Sequence, residues 1–328
     1  MAERNLEVLE QYELEVREIR RGRGAFLCET NQGLKLLREY KGTVKRLEFE
    51  EEILSYLKQE GFCVDPYTKT AEGNLISIAA DGSKYILKDW YLNRECDLQS
   101  ERDVRRAVCA LAKLHRTLRK IPWKEEEWNL ASMTARPLFE EMERHNRELV
   151  RVRNFVRAKR KKTEFELCIL GSFEKFYQQA KIAAKGLAEA KQEELQYLCH
   201  GDMNQHHILL TENAFSFIEF NRMHRGMQIE DLYRFVRKTL EKQGWNADFG
   251  MRLLEEYQEV LPLSKSEKRS LYYLFLYPEK YWKQMNFYFN NNKAWIPIKN
   301  IEKLMKLEEQ FHERDAFLQK IHEKIERF

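Results

Sequence analysis

Two carboxylates on either side of a hairpin are the residues of this sequence best placed to do chemistry. Asp202 ends a His200-Gly201-Asp202 turn, and the apolar run Ile208-Leu209-Leu210 follows. Thr211-Glu212-Asn213 then turns the chain into a second apolar strand, Phe215 to Phe220, that carries Glu219. An acid on a tight loop can orient an attacking hydroxyl, and an acid on the return strand can hold a metal bound to phosphates, as phosphoryl transfer requires. Asp202 is also a residue type that satisfies loop amides in an ordinary turn. His200 reads as a packed, hydrogen-bonded loop histidine. Asp231 stands where the next helix should begin, a position from which it can cap that helix and brace the loop.

The rest of the chain has to position that hairpin. Its 328 residues, 43% hydrophobic and 34% charged, suffice for a sizeable core and exclude a disordered chain. A net charge of +4, on 57 basic and 53 acidic residues, does not argue for a nucleic-acid partner. No apolar run approaches a membrane span, and the start MAERNLEVLEQ has no apolar signal core, so a cytoplasmic protein without a membrane partner is expected. Six scattered cysteines, with no C-x-x-C pair and no metal spacing, read as reduced thiols.

Apolar periodicity gives the elements. Residues 4–12 read as a short helix, and 14–19, 25–29 and 34–40 as strands joined by tight turns. Thr43 caps a helix to about Glu60, with Phe49, Ile53, Tyr56 and Leu57 on one face and Gly61 as its stop. Three more short strands fall at 66–70, 74–79 and 84–90. Beyond Trp90 the pattern is helical apart from the hairpin, with helices at 104–118, 133–161, 172–196, 229–243, 247–260, 265–284 and 299–327. The expected class is α+β: a small β-rich N-lobe over 1–92 and a large, mainly helical C-lobe over 93–328 that includes the hairpin 198–221.

Five features in order carry a resemblance. They are Ile86-Leu87-Lys88-Asp89-Trp90, Leu111-Ala112-Lys113-Leu114-His115, His200-Gly201-Asp202, Ile218-Glu219-Phe220 and Asp231-Leu232. Together they resemble the aminoglycoside phosphotransferase and choline kinase superfamily, and within it most of all the bacterial spore-coat protein S (CotS) family. The resemblance implies a two-lobed protein-kinase-like fold, ATP and magnesium as cofactors, and other spore-coat proteins as partners.

It also implies roles for single residues. Asp202 matches the catalytic-loop acid. Five residues later, where the superfamily has a metal-binding Asn, this chain has His207, and imidazole is a poor ligand for magnesium. Asn204 is near but at the wrong spacing, and His206-His207 lacks a sequence-local third ligand for a transition metal. Glu219 matches the Asp that bridges metal and phosphates, with its carboxylate about 1.5 Å further out, the length of one carbon–carbon bond. Misplacement on that scale can cost about 100-fold. Asn221 stands where many members carry a second acid.

The phosphate-gripping lysine of the third strand is matched best by Arg38, with Lys35 as the rival on the opposite face. Its helical partner is expected among Glu48, Glu50, Glu51 and Glu52, with Glu51 favoured. Gly22 and Gly24, in Arg21-Gly22-Arg23-Gly24, occupy the place of the nucleotide-covering loop, without a full Gly-rich fingerprint.

The run Arg151 to Lys162 has the character of a solvated basic face that could dock an acidic protein or a polyanion, and its one aromatic, Phe155, argues against single-stranded nucleic acid. The aromatics between Tyr272 and Phe289 read as core, and Asn290-Asn291-Asn292 and Trp295 as a rim of the substrate cleft. Arg38, His207 and Glu219 together point to a degenerate phosphotransferase with a structural role in coat assembly. The alternatives are an active kinase that phosphorylates a hydroxyl of an amino alcohol, sugar or aminoglycoside, and a nucleotide-binding sensor without catalysis.

Overall fold

The computed structural model describes residues 5–22, 24–122, 124, 128, 133–190, 196–211, 214–290 and 298–326. Arg23, Glu212, Asn213, Asn291, Asn292 and Trp295, named above, lie outside the described residues. The chain forms two compact units. The first comprises Met1–Asp97, Leu114–Met133 and His200–His224; the second comprises Leu98–Lys113, Thr134–Cys199 and Arg225–Phe328. The hairpin expected within the helical lobe is thus part of the first unit, with the N-terminal strands.

A sheet of antiparallel pairs dominates the first unit. β1 (Val16–Arg21), β2 (Phe26–Thr30) and β3 (Gly33–Glu39) form a meander. α1 (Val44–Gln59) follows, then β4 (Cys63–Val64), β5 (Tyr67–Thr68), β6 (Ser77–Ile78) and β7 (Lys84–Asp89). The strand order is β1-β2-β3-β7-β5, with β6 also paired to β7. The side-chain period of two sorts β3 into two faces. Leu37, opposite Leu87, joins Val8, Leu9, Tyr12, Cys28 and Ala79 in a buried core under the 3-10 turn Leu6–Gln11. Leu36 and Arg38, opposite Lys88 and Ile86, face the other way. Thr43 accepts from the Arg46 amide to cap α1, and Gly61, at φ 85°, ends it.

A second sheet brings the hairpin in. After β8 (Arg94–Glu95), α2 (Glu101–Leu118), α3 (Leu138–Ala158), α4 (Glu164–Glu189) and β9 (Tyr197–Cys199), the hairpin strands are β10 (Ile208–Leu210) and β11 (Phe215–Phe217). The sheet order is β4-β11-β10-β8, and the β4–β11 pair is parallel. The expected strand 215–220 therefore stops at Phe217, before Glu219.

The second unit is helical. β12 (His224–Gly226) leads to α5 (Ile229–Lys242), α6 (Ala247–Val260), α7 (Lys265–Leu276), α8 (Glu279–Asn290), α9 (Ile298–Glu309) and α10 (Phe311–Glu326). The expected helix 265–284 is two helices. Pro278 lacks an N–H and forces Tyr277 to an extended conformation (ψ 126°), which ends α7. The expected helix 299–327 also divides, at Gln310, where no Pro or Gly marks the break. α4 begins at Glu164 rather than near Ser172, because Thr163 and Glu166 form a reciprocal capping box. It packs so closely on α7 that a Cβ on Gly186 would lie 2.1 Å from the Tyr273 ring. The aromatics Phe275 and Tyr281 are core, as expected, whereas Phe287 is exposed. Val152 and Val156 bury one side of the basic run and leave Phe155 and most of its cations outward.

Leu37 is fully buried in the first unit's core. Leu37→Ala is expected to cost about 2–5 kcal/mol, read as a lower urea midpoint with an unchanged slope.

Candidate active site

The loop acid sits on a turn that only glycine can make. Gly201 has φ 84°, and a Cβ there would lie 2.1 Å from the Arg222 carbonyl oxygen. His200 is buried and holds the turn from inside. Its Nδ1 accepts from the Asp202 amide at 3.3 Å, so its Nε2 is left to donate to the Ile218 carbonyl at 3.0 Å. The Asp202 carboxylate is part-exposed, with the Arg222 guanidinium 4.0 Å away.

Asn204 and His207 brace the same loop. The Asn204 amide and His207 Nδ1 both donate to the Asp202 carbonyl, at 2.9 and 2.8 Å. The Asn204 side-chain oxygen accepts from the His206 amide at 2.9 Å. His207 Nδ1 is thus occupied by the loop backbone, which leaves Nε2 as its one ring nitrogen for a ligand. His206 pairs with Glu95, 2.6 Å away, instead of joining His207 in a metal site.

Glu219 has an unusual backbone. Its φ of 65° and ψ of 50° are left-handed, a conformation that a non-glycine residue holds only when its surroundings impose it. The imposing group is Asp65, fully buried, whose carboxylate accepts the Glu219 amide at 2.9 Å. Asp65 in turn is paired with buried Lys88 at 2.6 Å. Burial pushes the Asp65 carboxyl up, against the pull of Lys88.

The Glu219 side chain meets Arg38. Nη1 donates to Oε2 at 2.8 Å and Nη2 to Oε1 at 2.7 Å, a bidentate pair. Burial opposes ionisation of Glu219, but the hydrogen bonds and charge of Arg38, helped by Lys88 and His207, hold its carboxyl below the usual range. The same hydrogen bonds raise the Arg38 guanidinium.

Arg38 meets Glu219 and not a helical acid, which corrects the expected pairing of Arg38 with Glu51. Glu51 accepts from the Tyr67 amide and Ser55. Glu50 is buried against Arg46 and the Tyr67 hydroxyl, and Glu52 takes Lys124 and Trp128. Lys35, on the opposite face from Arg38, is paired with Asp89 at 2.5 Å. Gly22 and Gly24 form the β1–β2 hairpin turn, closed by the Gly22 amide on the Ala25 carbonyl. Asp231 is not the cap of α5: Gln228 holds that position, and Asp231 lies buried within the first turn. Next to it, burial raises the Glu230 carboxyl to about 7.

Asp202, His207, Glu219 and Arg38 therefore lie in one unit. Their donor set fits a magnesium ion poorly: each Glu219 oxygen is bonded to Arg38, His207 offers nitrogen where hard oxygen is needed, and Asp202 is the one carboxylate of the four residues not held by Arg38. Among the described residues no group of three or more His, Cys, Asp or Glu side chains could hold a metal. Sequence reasoning missed Asp65 and Lys88. Lys88 lies in the quoted hinge motif, and a charged residue in an apolar strand is a signal of a buried partner.

Removing one partner of the Lys88–Asp65 pair leaves a buried charge alone. Lys88→Met is expected to cost about 3–5 kcal/mol, and Lys88→Met with Asp65→Leu less than half of that, by chemical unfolding of both variants.

The sequence pattern of the phosphotransferase enzyme family matches residues 15–263. No match is found among curated proteins. Among solved structures, an aminoglycoside phosphotransferase from Alicyclobacillus acidocaldarius subsp. acidocaldarius superposes with a TM-score of 0.85 at 16% identity, over 98% of this chain and 96% of that one. The AMP-bound complex of a spectinomycin phosphotransferase gives 0.68 at 11% identity, over 92% and 93%. A microcompartment-associated aminopropanol kinase gives 0.63 at 12% identity, over 97% of both chains. These likenesses establish the α+β, kinase-like fold. With a sequence match over most of its length, this chain belongs to the phosphotransferase enzyme family.

Proposed function

We propose that this chain is a degenerate phosphotransferase whose role is structural, in the coat-type assembly that its resemblance to the CotS family implies. The observation that carries this reading is the bidentate Arg38–Glu219 pair. The cation that should grip phosphate and the acid that should hold metal are bonded to each other. Phosphoryl transfer is catalysed almost entirely by positioning and charge stabilisation, so a site that loses its metal-bridging carboxylate loses most of its rate.

One observation favours a second reading, an active small-molecule kinase. The Asp202 carboxylate remains part-exposed on a rigid turn, where it could take a hydroxyl proton. The relatives named above include phosphotransferases and a kinase for amino-bearing acceptors, and an acceptor of that class would be the first to try.

Phosphate release and transfer from ATP, with magnesium and an amino-alcohol or aminoglycoside acceptor, separate the two. The wild-type protein is expected at background, and a turnover of roughly 1 s⁻¹ or more, the range of working kinases, would overturn the degenerate reading. Arg38→Lys with His207→Asn and Glu219→Asp is expected to raise turnover at least about tenfold above wild type by restoring oxygen ligands.

A further inference from the structure

Arg38 is only half used by its carboxylate. A guanidinium carries five N–H donors in one plane. Two of them, one on each Nη, bond Glu219 end-on. The Nε–H and the second hydrogen of each Nη remain, and among the described residues nothing else bonds them. The Arg38 side chain is 30% exposed, against 11% for Glu219. The pair thus has a more buried end, the carboxylate, and a guanidinium whose Nε–Nη2 edge the carboxylate does not take up. That edge has the geometry that accepts two oxygens of one phosphate.

A cation placed between a carboxylate and a phosphate does the electrostatic work of a bridging metal ion. Here the cation is covalently part of the strand. The arginine is longer than a lysine, and the glutamate is longer than an aspartate. The two departures, counted separately in the sequence, fit each other in the structure. Glu219 cannot retreat, because its amide is held by Asp65 and its backbone is left-handed. His207 completes the picture, with Nδ1 committed to the Asp202 carbonyl and no oxygen to give.

We infer that Arg38 replaces the metal ion in this site, so that the chain binds the polyphosphate of a nucleotide without a divalent cation. This rests on reading the Arg38–Glu219 region as the nucleotide-phosphate site of a phosphotransferase fold. The ligand class is a di- or triphosphate chain, from a nucleotide or from free pyrophosphate.

The full-length protein is titrated calorimetrically with ATP, ADP, AMP and pyrophosphate, once in EDTA and once in excess magnesium. ATP is expected to bind in EDTA at least as tightly as with magnesium, and about tenfold tighter than AMP, one charge-assisted phosphate contact being worth that much. Pyrophosphate binding as tightly as ATP would assign the ligand to the free phosphate chain, and weaker binding would assign it to the nucleotide; both support the bridge. Arg38→Ala is expected to weaken ATP at least about tenfold. Because that variant strands Glu219, Glu219→Gln provides a second arm. It removes a negative charge facing the phosphates and frees the guanidinium, so ATP in EDTA should bind about threefold tighter. Binding that appears only with magnesium, a loss of affinity in Glu219→Gln, or no binding of any polyphosphate at millimolar concentration would each overturn the inference. ATP turnover with magnesium, measured on the same preparation, judges the degenerate reading separately, since metal-free binding can hold whether or not transfer occurs.

Discussion

The carboxylate of Asp65 determines what the site can be. It is fully buried, it holds Lys88 at 2.6 Å, and it accepts the backbone amide of Glu219 at 2.9 Å. A buried ion pair contributes little net stability, because desolvation of both charges offsets their attraction. Its value here is positional. Asp65 fixes Glu219 in a left-handed conformation, and so aims the longer acid at β3 instead of into the hairpin. Arg38 meets that carboxylate, and Glu50, Glu51 and Glu52 of α1 are left to Arg46, Tyr67, Ser55, Lys124 and Trp128.

Two of the departures that the resemblance implies, Arg38 and Glu219, are bonded to each other. Arg38 and Glu219 compensate each other in reach and in charge. His207 keeps a bracing role through Nδ1 and supports the loop that displays Asp202. With Arg38 as the inferred bridge, a cation that is always present would stand in for an ion that binds and leaves. A site of that kind would favour holding phosphate over turning it over, because a guanidinium carries half the charge of magnesium.

Much of the fold was legible. Thr43 and Gly61 bracket α1 as their residue types dictate, and Ala247–Val260 is the helix that periodicity predicts. The capping box at Thr163 and Glu166 and the stop at Pro278 were written in the sequence too; apolar periodicity running through both regions obscured them. The site was harder. His200, Gly201 and Asp202 announce a turn through local chemistry. Glu219 does not, because its apolar neighbours look like strand and its backbone angles are imposed from Asp65, 154 residues away. The partner of Arg38 was hidden for the same reason: four acids in α1 offered a nearer answer than one acid in the hairpin.

The first unit is also discontinuous in the chain, and this bears on how the protein is made. Among the described residues β4 pairs only with β11, Cys63 against Ser216, and Arg38 reaches Glu219 across 181 residues. A chain emerging from the ribosome presents the N-terminal strands long before their last partner exists. Until that hairpin arrives, β4 has a bare edge, and such edges invite pairing with another chain. Completion of the first unit thus waits on synthesis of most of the protein, whereas the β1-β2-β3 meander, whose contacts are local, can form early.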